Sequence, residues 1–228
     1  CTYTIIPHEV MELGCLLEYK GDAYFEASLA EPMSCSIGAF HAAFHTKMGV
    51  YHHEMGVKAG GKMAILAGAG PMGMGMIDYA LHGDRQPAQL VVTDINEDRL
   101  ARVRELFTEE DAAKQGVKLT FVNTKDMADP AAYLKESSDG GFDDVYVYAP
   151  ISSVVELASD ILGRDGCLSF FAGPTDNKFS AKLNFYDVHY NSTHVIGTTG
   201  GNTADMIESL ELTAAGRIHP AVMVTHVG

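Results

Sequence analysis

A glycine-rich run, Gly68-Ala69-Gly70-Pro71-Met72-Gly73, sets the tightest limits on what this chain can become. It follows Lys62–Ala67, a short apolar stretch suited to a buried strand. It precedes Met74–Leu81, which reads as a helix stopping near Gly83. A chain passing from strand to helix through glycines at this spacing has a physical use for each one. Gly68 permits the tight turn, Gly70 lets a pyrophosphate approach the backbone, and Gly73 lets the helix pack close to the strand. The helix N-terminus then offers unpaired N–H groups and a partial positive charge to the phosphates.

Glycine turns alone are common, so the context decides. Asp94 closes the next apolar strand, Leu90–Asp94, twenty-one residues beyond Gly73. A carboxylate there can accept both hydroxyls of a ribose, and its charge repels a 2′-phosphate. The expected cofactor is therefore NAD, with NADP disfavoured. A methyltransferase also places a glycine loop and an acid near its cofactor, and these residues alone leave that alternative open.

Beyond this unit, strands and helices alternate. Helices are expected at Asn96–Phe107, Pro130–Glu136, Ser153–Leu162 and Thr203–Ala215, with strands at Val117–Asn123, Asp143–Ala149, Cys167–Ala172 and Val195–Thr198. That order implies βαβ units around a mostly parallel, doubly wound α/β sheet covered by helices on both faces. Upstream, Ser36–Met48 carries small and aromatic residues suited to a packed helix. Thr2–Ile6 looks like a β-branched strand closed by Pro7, and Glu9–Tyr24 has no decisive period.

The composition excludes several classes of function. With 228 residues, 46% of them hydrophobic, the chain can bury a substantial core. Sixteen Lys and Arg against thirty Asp and Glu give a net charge of −14, and no basic run is present to neutralise phosphates, so nucleic acid is not expected as a partner. No apolar run is long enough to span a bilayer, no secretory signal is apparent at Cys1–Glu12, and a cytoplasmic protein is expected. Cys1, Cys15, Cys35 and Cys167 lack CxxC spacing and read as free thiols.

Further segments carry a family resemblance. Glu31-Pro32-Met33-Ser34-Cys35-Ser36-Ile37-Gly38-Ala39-Phe40-His41-Ala42 resembles the stretch before the cofactor domain in zinc-dependent medium-chain alcohol and polyol dehydrogenases. The glycine loop, Val92-Thr93-Asp94 with Arg99-Leu100, Gly197-Thr198-Thr199-Gly200-Gly201 and Gly216-Arg217-Ile218-His219-Pro220 follow the same family's order. The sorbitol and threonine dehydrogenase-like branch is most similar. Ile77–Gly83 and Tyr190–His194 point within it toward L-sorbose-1-phosphate reductase-like proteins.

The resemblance implies a Rossmann-type NAD-binding domain over residues 31–228, with residues 1–30 as the tail of a GroES-like catalytic domain. In such a family the missing domain carries a Cys and a His-Glu pair that hold catalytic zinc, so the chain is expected to be part of a longer protein. The implied activity is zinc-assisted hydride transfer between NAD and a polyol or phosphorylated ketose in the full-length enzyme. The alternative is an NAD-binding module with no activity of its own. Homo-oligomers pairing cofactor domains edge to edge are also implied.

Several residue roles rest on the same resemblance. Glu31 matches a position facing zinc, directly or through water, although one ligand does not bind zinc. His41 matches a position beside the nicotinamide; a buried imidazole satisfied by backbone is the competing account. Ala149 and Pro150 match a turn on the adenine side. Gly173 and Thr198 match turns on the nicotinamide side. Arg99 would approach the adenosine or form a solvent salt bridge. The remaining motifs have ordinary explanations. His52-His53-Glu54 on a helix would point its adjacent imidazoles about 100° apart, poor geometry for one ion, so a solvated loop or helix surface is expected. Met72, Met74 and Met76 read as core filling, and Cys35 as a packing residue.

Overall fold

The computed structural model describes residues 3–47 and 49–226. Cys1, Thr2, Met48, Val227 and Gly228 lie outside them, and with them part of the expected N-terminal strand and of the expected helix ending at Met48.

Six strands form one sheet: β3 (Lys62–Leu66), β4 (Gln89–Asp94), β5 (Lys118–Asn123), β6 (Phe142–Val147), β7 (Leu162–Phe170) and β8 (His194–Gly197). They run in the order β5-β4-β3-β6-β7-β8, and every pairing is parallel. This is the doubly wound Rossmann arrangement, and the order reverses between β3 and β6. There the connections on either side diverge and leave a crevice at the strands' carboxyl ends.

Burial on both faces explains why these strands are almost continuously apolar. In β3, Met63 and Ile65 enter one core while Ala64 and Leu66 enter the other. Leu90 and Val92 of β4 join the first core, and Val91 joins the second. The first core is covered by α3 (Ala30–Ala42), α4 (Pro71–His82) and α5 (Glu97–Leu106). The second is covered by α7 (Pro130–Ser137) and α8 (Ser152–Asp160). Removing a side chain such as Ile65, which is fully buried, would destabilise the fold by about 2–5 kcal/mol. The buried Tyr146 adds a polar tie, donating its hydroxyl to the Ala39 carbonyl at 3.1 Å and fastening α3 to the sheet.

Helix starts follow local chemistry. Asn96 caps α5 by accepting the Arg99 N–H, and Asp129 caps α7 by accepting the Ala132 N–H. Asn202 and Asp205 form a reciprocal capping box at α10 (Thr203–Ala214).

The first sixty residues depart most from the sequence reading. Residues 3–7 form no strand, and Ile5 stays 92% exposed, because no neighbouring strand is there to take its backbone groups. Short helices α1 (His8–Glu12) and α2 (Tyr24–Ala27) follow. Helix α3 begins six residues earlier than expected and ends at Ala42. Pro32 is tolerated because it sits in the first turn, where the N–H it lacks would have no intrahelical acceptor. Beyond it, β1 (Phe44–Lys47) and β2 (Val50–Met55) pair as an antiparallel hairpin. His52 and His53 thus lie on a strand rather than on a helix or loop, and adjacent strand residues point to opposite faces.

Candidate functional site

The glycine loop occupies the reversal point. Ala67, the residue between β3 and Gly68, adopts φ +56°, a left-handed conformation at the carboxyl end of β3, where the chain leaves the strand. Each following glycine has its own constraint. A Cβ on Gly68 would lie 2.5 Å from the Ile65 side chain, and one on Gly73 would lie 2.1 Å from the Gly68 carbonyl oxygen. A Cβ on Gly70 would meet nothing within 4 Å. Two of the glycines therefore serve packing, while Gly70 borders open space. No side chain caps the N-terminus of α4, where Gly70 is the capping residue and Pro71 the first helical one. Its first-turn N–H groups are left for an external acceptor.

Asp94 is wired into this loop. It is buried; its Oδ2 accepts the Ala69 N–H at 3.2 Å, and its Oδ1 accepts the N–H groups of Ile95 and Asn96 at 2.8 and 3.0 Å. Those bonds fix the carboxylate's direction and leave acceptor capacity on Oδ2.

A cleft of about 390 Å³ joins these parts. Gly70, Pro71, Met72 and Gly73 line it together with Asp94 and Arg99. Ala149, in the turn after β6, lines the same cleft. Arg99 makes no ion pair among the described residues. Met72 borders the cleft, whereas Met74 and Met76 are buried in the core. Pro150 sits between two lining residues without lining the cleft, and Gly68 lies beneath the loop. Gly173 and Thr198 follow β7 and β8 at the same end of the sheet, outside the cleft wall.

Some lining residues escaped the sequence reading. Thr93 and Thr124 lie at the ends of β4 and β5, where the carboxyl-end rule could have found them. Tyr148 also lines the cleft and stacks on Phe171, with centroids 4.4 Å apart and planes inclined by 24°. Burial pushes the Tyr148 phenol up, with the nearby Ser36 hydroxyl pulling the other way.

His41 takes a different position. On the last turn of α3, its Nδ1 lies 3.3 Å from Asp205 Oδ1, and its Nε2 lies 3.1 Å from the Tyr79 hydroxyl. Tyr79 in turn donates to Glu208 at 2.6 Å. Burial, followed by the Glu208 hydrogen bond, pushes the Tyr79 phenol far up. The imidazole is thus satisfied by side chains rather than backbone, and it does not line the cleft.

Glu31 is exposed in the first turn of α3, and the Cys35 thiol donates to its Oε1 at 3.5 Å. Burial, aided by Glu31, raises the Cys35 thiol. These are two donors where a zinc site uses three or four protein ligands. Among the described residues no group of three or more His, Cys, Asp or Glu could hold a metal. The residues present therefore do not fit zinc by themselves. They do fit a dinucleotide, with an open glycine cradle, an uncapped helix start and an oriented carboxylate in one cleft.

Known proteins resemble this chain in sequence and in fold. A mannitol-1-phosphate 5-dehydrogenase of Aliivibrio fischeri is 58% identical over 228 residues, covering 100% of this chain and 54% of that protein. An L-sorbose 1-phosphate reductase of Klebsiella pneumoniae is 46% identical, covering 99% of this chain and 54% of that protein. The chain thus spans about half the length of these curated relatives. A zinc-binding dehydrogenase structure from Sinorhizobium meliloti bound to NADP superposes with a TM-score of 0.64 at 16% identity, covering 89% of this chain and 56% of that one. The family model for zinc-binding dehydrogenases matches residues 71–215, from the first residue of α4 to just past the end of α10. With that match spanning most of the sheet and its helices, the chain belongs to the zinc-binding dehydrogenase family.

Proposed function

We propose that this chain is the nucleotide-binding part of an oxidoreductase acting on a phosphorylated polyol or ketose, with NAD preferred over NADP. The observation that carries the reading is the Ala69–Asp94 hydrogen bond, which sets a ribose-directed carboxylate beside the open cradle at Gly70. The helix start at Pro71–Gly73 would take the pyrophosphate, and Asp94 the adenosine ribose. A nicotinamide bound there supplies the hydride acceptor or donor. The chain's own residues bind, orient and discriminate. Relatives named for mannitol 1-phosphate and sorbose 1-phosphate support the substrate class.

Because Glu31 and Cys35 are too few donors for zinc, the same observation favours binding without turnover by these residues alone. Calorimetric titration with NADH and, separately, with S-adenosylmethionine tests the reading. Saturable NADH binding is expected with no heat from S-adenosylmethionine. The reverse would assign the cleft to a methyl donor.

A further inference from the structure

The β1–β2 hairpin has little of its own to hold it down. Every residue of β2 is exposed, and an isolated two-stranded hairpin is marginally stable at best in water. Its ties to the sheet come from β1, where His45 and Thr46 reach Asp144 on β6 and Asp165 on β7. None of these residues lines the nucleotide cleft, so the hairpin's anchoring stands apart from the dinucleotide reading.

The His45 side chain is 11% exposed, and both of its ring nitrogens face acceptors. Nδ1 lies 3.0 Å from the Asp165 carbonyl oxygen, and Nε2 lies 3.1 Å from Asp144 Oδ1. A neutral imidazole has one N–H and would turn a lone pair toward one of these oxygens. The imidazolium donates to both. Asp144 also needs the charge. Its carboxylate is 2% exposed and forms its ion pair with His45. Lys58 gives Asp144 a backbone N–H, but its ammonium goes to Asp143. The Asp165 carboxylate lies 3.5 Å from His45 Nδ1, accepts the Thr46 N–H at 2.9 Å and lies 2.8 Å from His194 Nε2 on β8. Glu54 is opposite His45 in the hairpin register, yet it pairs with Arg85 at 3.5 Å. Burial opposes a charge on His45; the Asp144 hydrogen bond and charge, then Asp165, favour it, and the pKa is raised.

We infer that a proton on His45 latches the hairpin to the sheet, closing β1 over the Cys167 thiol while it is held and loosening β1 when it leaves. Cys167 is buried on β7, with its thiol against the backbone N–H of Phe44 at the start of β1. Burial pushes that thiol up to about 12, so it is protonated and unreactive under its cover. In a freed hairpin His45 returns to its ordinary value near 6.5. The latch is therefore fully engaged below that pH and is lost as pH rises through the higher value of the closed form.

The test follows iodoacetamide labelling of Cys167 from about pH 5.5 to about pH 9, across the window in which the latch is lost. Labelling is read on the Cys167 peptide by mass spectrometry and divided by the rate for unfolded protein at the same pH, which removes the thiol's own ionisation. In the wild type, protection should fall above pH near 6.5 by up to tenfold per pH unit, the limit for one proton. His45→Gln cannot take up the charge, so a folded variant should show weak protection that is flat with pH. His82→Gln removes the other histidine held by a buried carboxylate and should keep the wild-type slope. Constant protection in the wild type would overturn the latch, as would a wild-type slope in folded His45→Gln. A slope that disappears in His82→Gln belongs to global unfolding and would overturn it too. If His45→Gln does not fold, the wild type and His82→Gln decide between these outcomes.

Discussion

The Ala69 N–H donates to Asp94 Oδ2 at 3.2 Å, joining the phosphate-binding turn to the acid at the end of the next strand. Residues twenty-five apart in sequence are thereby fixed as one unit. The pairing of β3 with β4 brings them close, with Ile65 opposite Val92 in the register. A strand-to-helix turn with its carboxylate already aimed binds a ribose and a pyrophosphate with little reorganisation.

Gly70 and Gly73 should separate binding from stability. A Cβ at Gly70 meets open space, so Gly70→Val is expected to fold, give a native circular dichroism spectrum and lose NADH binding. At Gly73 even Ala places a Cβ against the Gly68 carbonyl, and about 1–3 kcal/mol of stability should be lost. Urea unfolding of both variants beside an NADH titration checks the contrast. Normal NADH binding by folded Gly70→Val would put the ligand elsewhere.

Stability should depend on pH through His82, the last residue of α4. Its Nδ1 lies 2.9 Å from the buried Asp78 carboxylate, and that hydrogen bond raises its pKa against the opposing effects of burial and Arg217. The helix C-terminus also favours a cation there. A raised pKa means stability fully present below the ordinary histidine value, near 6.5, and lost as pH rises through the higher folded value. His82→Gln should therefore cost about 1–2 kcal/mol at pH near 5.5, with the gap narrowing by pH near 8.5. Equal losses at both values in urea melts would rule out the charged pair.

How much was legible follows from the range of the forces involved. The turn from β3 to α4 and the acid ending β4 could be read because glycine sterics and two-faced burial act over a few residues. Phe44–Lys47 reads as the end of a packed helix because Ser36–Met48 carries small and aromatic residues, and only pairing with Val50–Met55 makes it a strand. Partners of His41 were equally hidden, since Asp205 is 164 residues away. Tyr148 read as one more strand residue. Its place in the cleft depends on β6 lying beside β3 across the reversal, which no local pattern records.

Metal content is a further check. With Glu31 and Cys35 as neighbouring donors and no group of three among the described residues, dialysed protein should retain no stoichiometric zinc. Chelator should leave NADH affinity unchanged. One zinc per chain in elemental analysis would require donors from elsewhere, with His52, His53 and Glu54 first to be tested.

Cofactor choice at Asp94 tests the central claim most directly. NADH and NADPH dissociation constants should be measured side by side for the wild type and Asp94→Ser. Losing hydrogen bonds from a charged acceptor should weaken NADH by about 10–100-fold, the equivalent of about 1.5–3 kcal/mol. Removing the charge should at the same time improve NADPH relative to NADH. Unchanged NADH affinity in Asp94→Ser, or a wild type that prefers NADPH, would contradict the account.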